Sequence, residues 1–400
     1  MIDIAQMIEL DRLAREDGKK YRKRRFIFSK IANAQGKHYI GIVGPRGAGK
    51  TILLKQIALE NKRSFYISLD TVRDDLFEIV KKIHQELKID LFLLDEVHFH
   101  PSFEAGIKKI YDFLDVKVIF TSSVSLALFS SSYDLSRRIT LEKLYPFSFH
   151  EYLFFKHDIK ARVLTLKQVI KKEWDPDAIR HAQYFNDYLQ GGVLPFSLDE
   201  PVLFETLKNI VTAVVRKDIP MVGRLSLPEV EVVEKLLVFV GKSGIDGINY
   251  SSLSKNLGIT KYKAEQYVSL LERAFIFHRV FPKGTNVLKE PKILMALPYR
   301  LLYSEYEQAL GGLCEDFFVE MLRSLGIDFY YLKSTRGAKT PDYLILMDGR
   351  DVIIEVGGKG KGRQQFKGIK ARKKIIFSHS LETQGIKRPL FFLGMIDRVQ

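Results

Sequence analysis

The chain has 400 residues, which predicts two or three domains at about 150 residues each. Hydrophobic residues make up 46% and charged residues 28%, an ordinary usage for folded proteins that excludes a disordered or fibrous chain. The formal net charge is +15, and residues 358–400 alone hold 11 basic and 2 acidic side chains. This excess favours an anionic partner (nucleic acid, nucleotide or an acidic membrane surface), or else a solvated basic surface that serves solubility.

Cysteine usage and hydropathy bear on the compartment. The single cysteine, Cys314, permits neither an internal disulfide nor a thiolate metal cluster, which fits a reducing environment. No apolar run reaches the roughly 18 residues of a membrane span, and the first residues include Asp3, Glu9 and Asp11 instead of a basic and then apolar leader. We therefore predict a cytoplasmic protein with no membrane partner.

Short apolar runs that alternate with helical patterns begin at Lys37. The first run, KHYIGIV, precedes a glycine-rich segment and then ILLKQIALE, whose apolar residues have helical spacing. Strands that alternate with helices predict a parallel sheet covered on both faces, so the expected fold class is α/β. Further strands are predicted at 64–69, 89–96, 116–123 and 137–144.

The segment GPRGAGKT fits the pattern G-x-x-x-x-G-K-[ST] between a strand and a helix, the context of a phosphate-binding loop (P-loop). Its glycines let backbone N–H groups and a helix N-terminus face phosphate charge. We expect Lys50 to bridge the β- and γ-phosphates and Thr51 to bind Mg²⁺. The predicted cofactors are ATP or ADP with Mg²⁺, and the predicted binding residues are Gly44, Pro45, Arg46, Gly47, Ala48, Gly49, Lys50 and Thr51.

A carboxylate pair ends the predicted strand LFLLDE. An aspartate at the tip of a buried strand can hold the metal's hydration shell while the next residue faces the γ-phosphate. Asp95 is therefore the predicted metal residue and Glu96 the base that orients the attacking water, unless the pair only ends a strand. Thr121 and Ser122 end the following strand, where a hydroxyl either senses the γ-phosphate or terminates the strand.

Two arginines, Arg137 and Arg138, precede the fifth predicted strand. An arginine can neutralise transition-state charge in its own site or in a neighbouring subunit's site, which would make a homo-oligomer part of catalysis. The alternative is a solvated surface pair. We include both arginines and Thr121 among the candidate catalytic residues.

Beyond Pro146 the pattern changes to long helices, predicted at 178–189 and 202–217. Three helices and the β-prone run FIFHRVF then follow from Pro228, an order typical of a winged helix-turn-helix. Such a unit reads DNA or packs beside an ATPase, and its helices carry Lys255, Lys261, Lys263 and Arg273 together with Glu265 and Glu272. The final part holds a helix at 313–325 and strands FYYL, YLILM and VIIEV.

These motifs, in this order, resemble a widespread archaeal and bacterial family of AAA+-type P-loop ATPases. The resemblance rests on GPRGAGKT, LLDEVH, FTSSVS, SRR, LYPFSFHEYL, YLQGGVLP and GLCEDFFVEML, and it covers nearly the whole chain. It implies an ATPase core with an extra strand between the two ATP motifs, a winged helix and a C-terminal domain with a restriction-endonuclease-like fold. The predicted domains are 1–145 (P-loop ATPase core with its N-terminal lead-in), 146–226 (helical extension), 227–297 (winged helix) and 298–400 (nuclease-like).

The resemblance also implies where a nuclease site would lie. A nuclease of that type uses a helix glutamate, a Pro-Asp and a Glu-x-Lys, because two carboxylates bind a metal and a lysine activates water. Glu315, Asp342 and Glu355 stand at suitable places, but position 357 is glycine. We therefore interpret the set as vestigial and predict nucleic-acid binding without cleavage, through Lys359, Lys361, Arg363, Lys367 and Lys370.

The function predicted from the sequence is ATP binding and slow hydrolysis as a conformational switch that acts on DNA or on a DNA-bound partner. Two alternatives stay open: a metal-dependent nuclease controlled by ATP, and a signalling or scaffold ATPase that binds only protein. Salt-dependent binding to duplex DNA separates the first function from the last, because phosphate contacts release counterions.

Overall fold

The structure is a computed structural model that describes residues 4–124, 135, 137–199, 202–243, 247–284, 290–332, 341–357, 366 and 373–397. It divides into two compact units, Met1–Pro146 and Phe147–Gln400. The predicted domains 1–145, 146–226, 227–297 and 298–400 stay predictions. Lys359, Lys361, Arg363, Lys367 and Lys370 lie outside the described residues.

The first unit is built on a parallel five-stranded sheet of order β2-β3-β4-β1-β5, as the sequence predicts. In the sheet, β4 lies between β1 and β3, the strands that carry the two ATP motifs, which is the place of the extra strand that the family resemblance implies. The carboxyl ends of β1, β3 and β4 meet at one edge, where Val43 pairs with Ser122. The strands are β1 (Tyr39–Val43), β2 (Ser64–Ser68), β3 (Leu91–Asp95), β4 (Lys117–Ser122) and β5 (Ile139–Lys143). The helices are α1 (Ile4–Gly18), α2 (Phe28–Ala32), α3 (Lys50–Glu60), α4 (Leu76–Leu87) and α5 (Phe103–Phe113).

The second unit combines helices with two sheets. Its helices are α6 (Phe149–His157), α7 (Leu166–Lys171), α8 (Phe185–Asp187), α9 (Leu203–Ala213), α10 (Ile219–Gly223), α11 (Leu227–Lys242), α12 (Tyr250–Leu257), α13 (Lys261–Arg273) and α14 (Tyr306–Leu325). Its strands are β6 (Phe277–Val280), β7 (Lys292–Met295), β8 (Phe329–Tyr331), β9 (Tyr343–Met347), β10 (Arg350–Gly357), β11 (Lys373–Ser378) and β12 (Lys387–Pro389). The antiparallel pair β6-β7 follows three helices, and the mixed sheet has the order β12-β11-β10-β9-β8. No helix in the described ranges is long and apolar enough to cross a bilayer.

The helix predicted at 178–189 has a different form in the structure. A 3₁₀ helix (Pro176–Tyr184) leads through α8 into a π-helical turn, Tyr188–Gly192. The turn brings the chain so close to Tyr152 that a Cβ on Gly192 would lie 2.4 Å from that ring. Tertiary packing has therefore overridden the helical periodicity.

The helix predicted at 313–325 begins earlier, at Tyr306, and runs through Gly311 and Gly312. A Cβ on Gly312 would meet Arg300 Nε at 2.7 Å. Arg300 is buried and forms two hydrogen bonds with the Asp316 carboxylate, of 2.6 and 3.0 Å. Gly312 thus leaves room for a buried ion pair between α14 and the 3₁₀ helix Tyr299–Leu302 that precedes it.

Packing around β1 generates a stability prediction. A Cβ on Gly41 would lie 2.7 Å from Leu141 Cδ2 and 2.8 Å from Phe120 Cζ. Because overpacking a core costs about 1–3 kcal/mol, Gly41→Val should lower the temperature at which the protein unfolds. The matched control is Gly311→Ala, since nothing lies within 4 Å of the added atom there. Differential scanning calorimetry should show destabilisation for Gly41→Val alone, and equal midpoints for both variants would contradict this account of the sheet.

Candidate nucleotide-binding site

The P-loop connects the last residue of β1 to the first turn of α3. Gly47 and Gly49 have φ angles of 82° and 91°, which residues with a side chain rarely adopt. A Cβ on Gly44 would lie 2.2 Å from the Leu144 carbonyl oxygen. Gly49 caps α3 without a side-chain hydrogen bond, so the helix begins with backbone N–H groups that can meet an anion.

The side chain of Lys50 folds back onto the P-loop that precedes α3. Its side chain is 5% exposed, and Nζ donates to the carbonyl oxygens of Gly44 at 2.8 Å and Pro45 at 3.0 Å. A buried ammonium needs such partners, because burial without them is costly. Phosphate oxygens are stronger acceptors for this ammonium than carbonyl groups, since the bond is then between opposite charges.

Arg25 supports the loop from the N-terminal lead-in, and sequence reasoning missed it. The side chain is buried; one terminal nitrogen donates to the Ala48 carbonyl oxygen at 2.5 Å and the other to the Tyr145 carbonyl oxygen at 2.8 Å. The lead-in itself is held to α3 by Gln56 Nε2, which donates to the Tyr21 and Lys23 carbonyl oxygens. The basic run YRKRRF is the only sequence signal, and it does not distinguish Arg25 from its neighbours.

Asp95 is 2% exposed and lies at the carboxyl end of β3. Tyr66 donates a hydrogen bond to its Oδ2 at 2.8 Å, and Thr121 donates to its Oδ1. Burial raises the pKa of Asp95, as does the charge of Glu96, while hydrogen bonds from Thr121, Thr51 and Tyr66 lower it. The two predicted metal residues, Thr51 and Asp95, are therefore brought together.

Thr121 lies at the end of β4, beside the carboxylate pair. Its hydroxyl donates to Asp95 and accepts the backbone N–H of Glu96 at 3.0 Å, and the residue is fully buried. These bonds fix the two carboxylate residues relative to each other. The geometry supports a positioning role for Thr121 and does not support direct sensing of a γ-phosphate. The Ser122 hydroxyl donates to the Val124 carbonyl oxygen at 2.7 Å and thus closes the strand end.

Glu96 has a left-handed backbone, with φ 51° and ψ 46°. Such conformations cost about 1 kcal/mol or more outside glycine and occur often at functional sites. Oε2 of Glu96 lies 3.3 Å from Nδ1 of His98, whose Nε2 lies 3.2 Å from the Ser123 hydroxyl. His98 is buried directly beside the predicted base.

Arg137 and Arg138 lie at the opposite edge of the sheet. The Arg138 carbonyl oxygen accepts the N–H of Tyr39, the first residue of β1, whereas the P-loop follows the last residue of that strand. A five-residue strand separates these edges by about 15 Å. Neither arginine therefore lies at the nucleotide site of its own subunit, and a role in a neighbouring subunit and a solvated surface pair stay the two alternatives.

The two arginines differ in their surroundings. Arg138 forms two hydrogen bonds with the Asp112 carboxylate, at 2.9 and 3.1 Å, and its guanidinium lies over the Tyr111 ring. Arg137 is exposed. Arg137 is thus the better placed of the two to reach another subunit.

The C-terminal candidates lie in the second unit. Glu315 and Asp342 line one cavity, and Glu355 is buried in β10. Within the described residues, no group of three or more His, Cys, Asp and Glu side chains is arranged to hold a metal ion. The carboxylates do not form the three-membered metal cluster that a simple transfer of the nuclease pattern suggests.

Two parts of the chain match family models. Residues 36–153 match one described as an AAA domain, and residues 182–296 match one described as a domain of unknown function. The uncharacterized protein MJ1637 of Methanocaldococcus jannaschii is 27% identical over 393 residues, which cover 87% of this chain and 82% of that protein. The similarity to MJ1637 thus extends across both units.

Among solved structures, this chain is similar to the Thermotoga maritima RuvB Holliday junction branch migration motor, with 14% identity and a TM-score of 0.28 over 66% of this chain and 89% of that one. It is also similar to AMPPCP-bound DnaA from Aquifex aeolicus, with 16% identity and a TM-score of 0.24 over 66% and 88%. Scores this low carry no conclusion about function. The family match, the parallel sheet and the P-loop geometry agree that residues 36–153 are similar to an AAA domain.

Proposed function

We propose that the first unit binds ATP or ADP with Mg²⁺ and hydrolyses ATP slowly, as a conformational switch. The observation that carries this proposal is the convergence of Lys50, Thr51 and Asp95 at one edge of the sheet, next to the amides that begin α3. Cation, metal-binding oxygens and backbone donors together suit a nucleoside triphosphate.

Each residue has a separate task in this proposal. Lys50 exchanges its two carbonyl partners for phosphate oxygens, and Glu96 orients a water molecule toward the γ-phosphate. Thr121 and Tyr66 hold Asp95 in place, while His98 lies beside the Glu96 carboxylate. When bound, Mg²⁺ neutralises charge between the β- and γ-phosphates.

DNA, or a partner bound to DNA, is the proposed target of the switch. The three helices α11 to α13 and the β6-β7 pair suit a winged helix, and the tail from 358 to 400 carries most of the excess positive charge. Two lysines of α13 are already paired, Lys261 with Glu290 and Lys263 with Glu229. The tail is therefore the stronger support for contacts with phosphates.

Lys50 and Glu96 should have separable effects. Lys50→Ala should weaken ATP binding by about 10-fold or more, because a charged hydrogen-bond donor is lost. Glu96→Gln should leave binding intact and lower turnover by about 100-fold or more, because only the base is removed. Titration calorimetry and a phosphate-release assay measure the two quantities. Wild-type turnover in Glu96→Gln would show that Glu96 is not the base.

Arg137 should act in trans, as part of a homo-oligomer. Arg137→Ala should slow hydrolysis by about 1,000-fold, the effect of a missing arginine finger. Mixing it with Glu96→Gln subunits, which contribute an intact arginine, should restore part of the rate. Arg138→Ala is the matched control. Its rate of hydrolysis should fall less, because the Arg138 side chain is bound to Asp112. Full activity in Arg137→Ala, or no recovery on mixing, would rule out this role.

Binding to duplex DNA should weaken steeply with salt. If the tail lysines displace counterions, Lys361→Gln with Lys367→Gln should reduce the slope of log affinity against log salt by about two units at most. Lys20→Gln with Lys62→Gln, in the first unit, serves as the control and should leave the slope unchanged. Fluorescence anisotropy over about 50–200 mM salt measures the affinity for duplex DNA and hence this slope. Absence of salt-sensitive binding would favour a protein-only partner.

A further inference from the structure

Arg46 lies in the P-loop, between Pro45 and Gly47, and its side chain is half-buried. The loop backbone is held on both sides of this residue, because Lys50 Nζ donates to the Pro45 carbonyl oxygen at 3.0 Å and Gly47 has a φ angle of 82°. The pattern G-x-x-x-x-G-K-[ST] leaves this position open, so the phosphate-binding motif does not explain an arginine there.

The Arg46 guanidinium lies over the ring of Phe99. The distance from Cζ to the ring centroid is 5.7 Å, within the range of cation–π contacts. Phe99 ends the 3₁₀ helix Val97–Phe99, which begins directly after Glu96, and its N–H donates to the Glu96 carbonyl oxygen at 3.1 Å. The Phe99 ring also contacts the His98 ring, with the two centroids 4.2 Å apart. The guanidinium thus lies over the segment that carries the proposed base.

This place is on the γ-phosphate side of the proposed site. The γ-phosphate lies between Lys50, which binds its oxygens, and Glu96, which orients the attacking water. Arg46 belongs to the same loop as Lys50 and contacts the same segment as Glu96. A cation there faces the negative charge that the transferred phosphoryl group carries in the transition state.

The surroundings of Arg46 differ from those of the other arginines described above. Arg25 donates to two carbonyl oxygens that hold the P-loop, and Arg137 and Arg138 lie at the opposite edge of the sheet. A cation–π contact at a half-buried position is weaker than paired hydrogen bonds from a guanidinium to a phosphate. A bound γ-phosphate therefore competes successfully with the Phe99 ring for Arg46.

We propose that Arg46 is a catalytic arginine of its own subunit, whose guanidinium passes from the Phe99 ring to the γ-phosphate and neutralises charge in the transition state. The role rests on the proposed function, because Arg46 acts on ATP bound at the same site. A role of Arg137 in a neighbouring subunit is separate, and neither arginine requires the other.

The reaction is hydrolysis of the bond between the β- and γ-phosphates. The water oxygen bonds to the γ-phosphorus, the bond from that phosphorus to the bridging oxygen breaks, and its electron pair stays on ADP. Glu96 takes one proton of the water and releases it to bulk solvent, while the other proton stays on the inorganic phosphate. The Arg46 guanidinium donates to the γ-phosphoryl oxygens throughout this step.

Kinetics of ATP hydrolysis give the first test. Arg46→Ala should lower kcat by about 100-fold or more and change KM for ATP by less than about threefold, because the contact is strongest in the transition state. Arg46→Lys should retain part of kcat, since lysine keeps the charge without the two-pronged geometry. Wild-type kcat in Arg46→Ala would overturn the proposal.

The matched control is Arg73→Ala. Arg73 is an exposed arginine that follows β2, and the strands β3 and β4 separate β2 from β1 in the sheet. The control removes the same charge from the same unit and should hydrolyse ATP at the wild-type rate. An equal loss of kcat in Arg73→Ala and Arg46→Ala would show an effect of net charge and overturn the proposal.

A transition-state analogue gives a readout that does not depend on turnover. Aluminium fluoride bound with ADP imitates the transferred phosphoryl group, whereas ADP alone has no γ-phosphate. Arg46→Ala should weaken the binding of ADP with aluminium fluoride by about 100-fold or more and change the affinity for ADP by less than about threefold. Titration calorimetry measures both affinities. Equal losses for the two ligands would show that Arg46 only supports the loop, and the proposal would then be wrong.

Phe99→Leu distinguishes chemistry from packing, because it removes the ring and keeps an apolar side chain. If Arg46 acted only by packing on the segment of Glu96, Phe99→Leu would lose as much turnover as Arg46→Ala, and the double variant would lose no more. We expect Phe99→Leu to keep kcat within about threefold of the wild-type value. Equal losses in the two single variants would overturn the proposal.

Mixing subunits tests whether Arg46 acts in its own site. Arg46→Ala mixed with Glu96→Gln should regain no activity, since every site then lacks one of its own residues; recovery would place the arginine in trans and overturn the proposal. Absence of ATP turnover in the wild-type protein would overturn the proposed function together with this role. The expected losses in Lys50→Ala and Glu96→Gln, beside a fully active Arg46→Ala, would overturn this role alone.

Discussion

The hydrogen bond from Thr121 to Asp95 joins the ends of β3 and β4, and the geometry of the nucleotide site depends on it. A carboxylate buried to this degree is stable only when its oxygens are paired, and hydroxyl groups from β2, α3 and β4 provide those partners. The same Thr121 hydroxyl accepts a hydrogen bond from the backbone N–H of Glu96. The backbone of the proposed base therefore has a fixed position. The parallel register of the sheet brings all these groups to one edge.

A second set of contacts, separate from those of Asp95 and Thr121, holds the P-loop. Arg25 joins the loop carbonyl of Ala48 to the chain just beyond β5, and the lead-in that carries Arg25 is anchored on α3 through Gln56. These contacts therefore tie the P-loop to the segment between α1 and α2.

Much of the fold could be predicted from local patterns in the sequence. All five strands of the parallel sheet and the P-loop follow from apolar runs, glycine spacing and helical periodicity, which are properties of neighbouring residues. The 3₁₀ and π-helical segments at 176–192 were not predictable, because they result from packing between distant elements. The strands β7, β11 and β12 were also missed; β12 has only three residues.

The side chains that sequence reasoning missed share one property: their partners are distant in the chain or lie in a loop without a recognised motif. Arg25 contacts Ala48 and Tyr145, and Lys292 contacts Glu315 from a different element. Neither contact follows from a local pattern in the sequence. Glu315, which the sequence assigned to a vestigial nuclease site, is already paired with Lys292 and Tyr343.

The central claim for the first unit is that Asp95 and Thr51 form a metal site for the nucleotide beside Lys50. The most direct measurement is calorimetric titration of the full chain with ATP, in Mg²⁺ and in EDTA, for the wild-type protein and Asp95→Asn. The account predicts that Mg²⁺ strengthens ATP binding to the wild-type protein and has little effect on binding to Asp95→Asn. Equal dependence on Mg²⁺ in both proteins would contradict it.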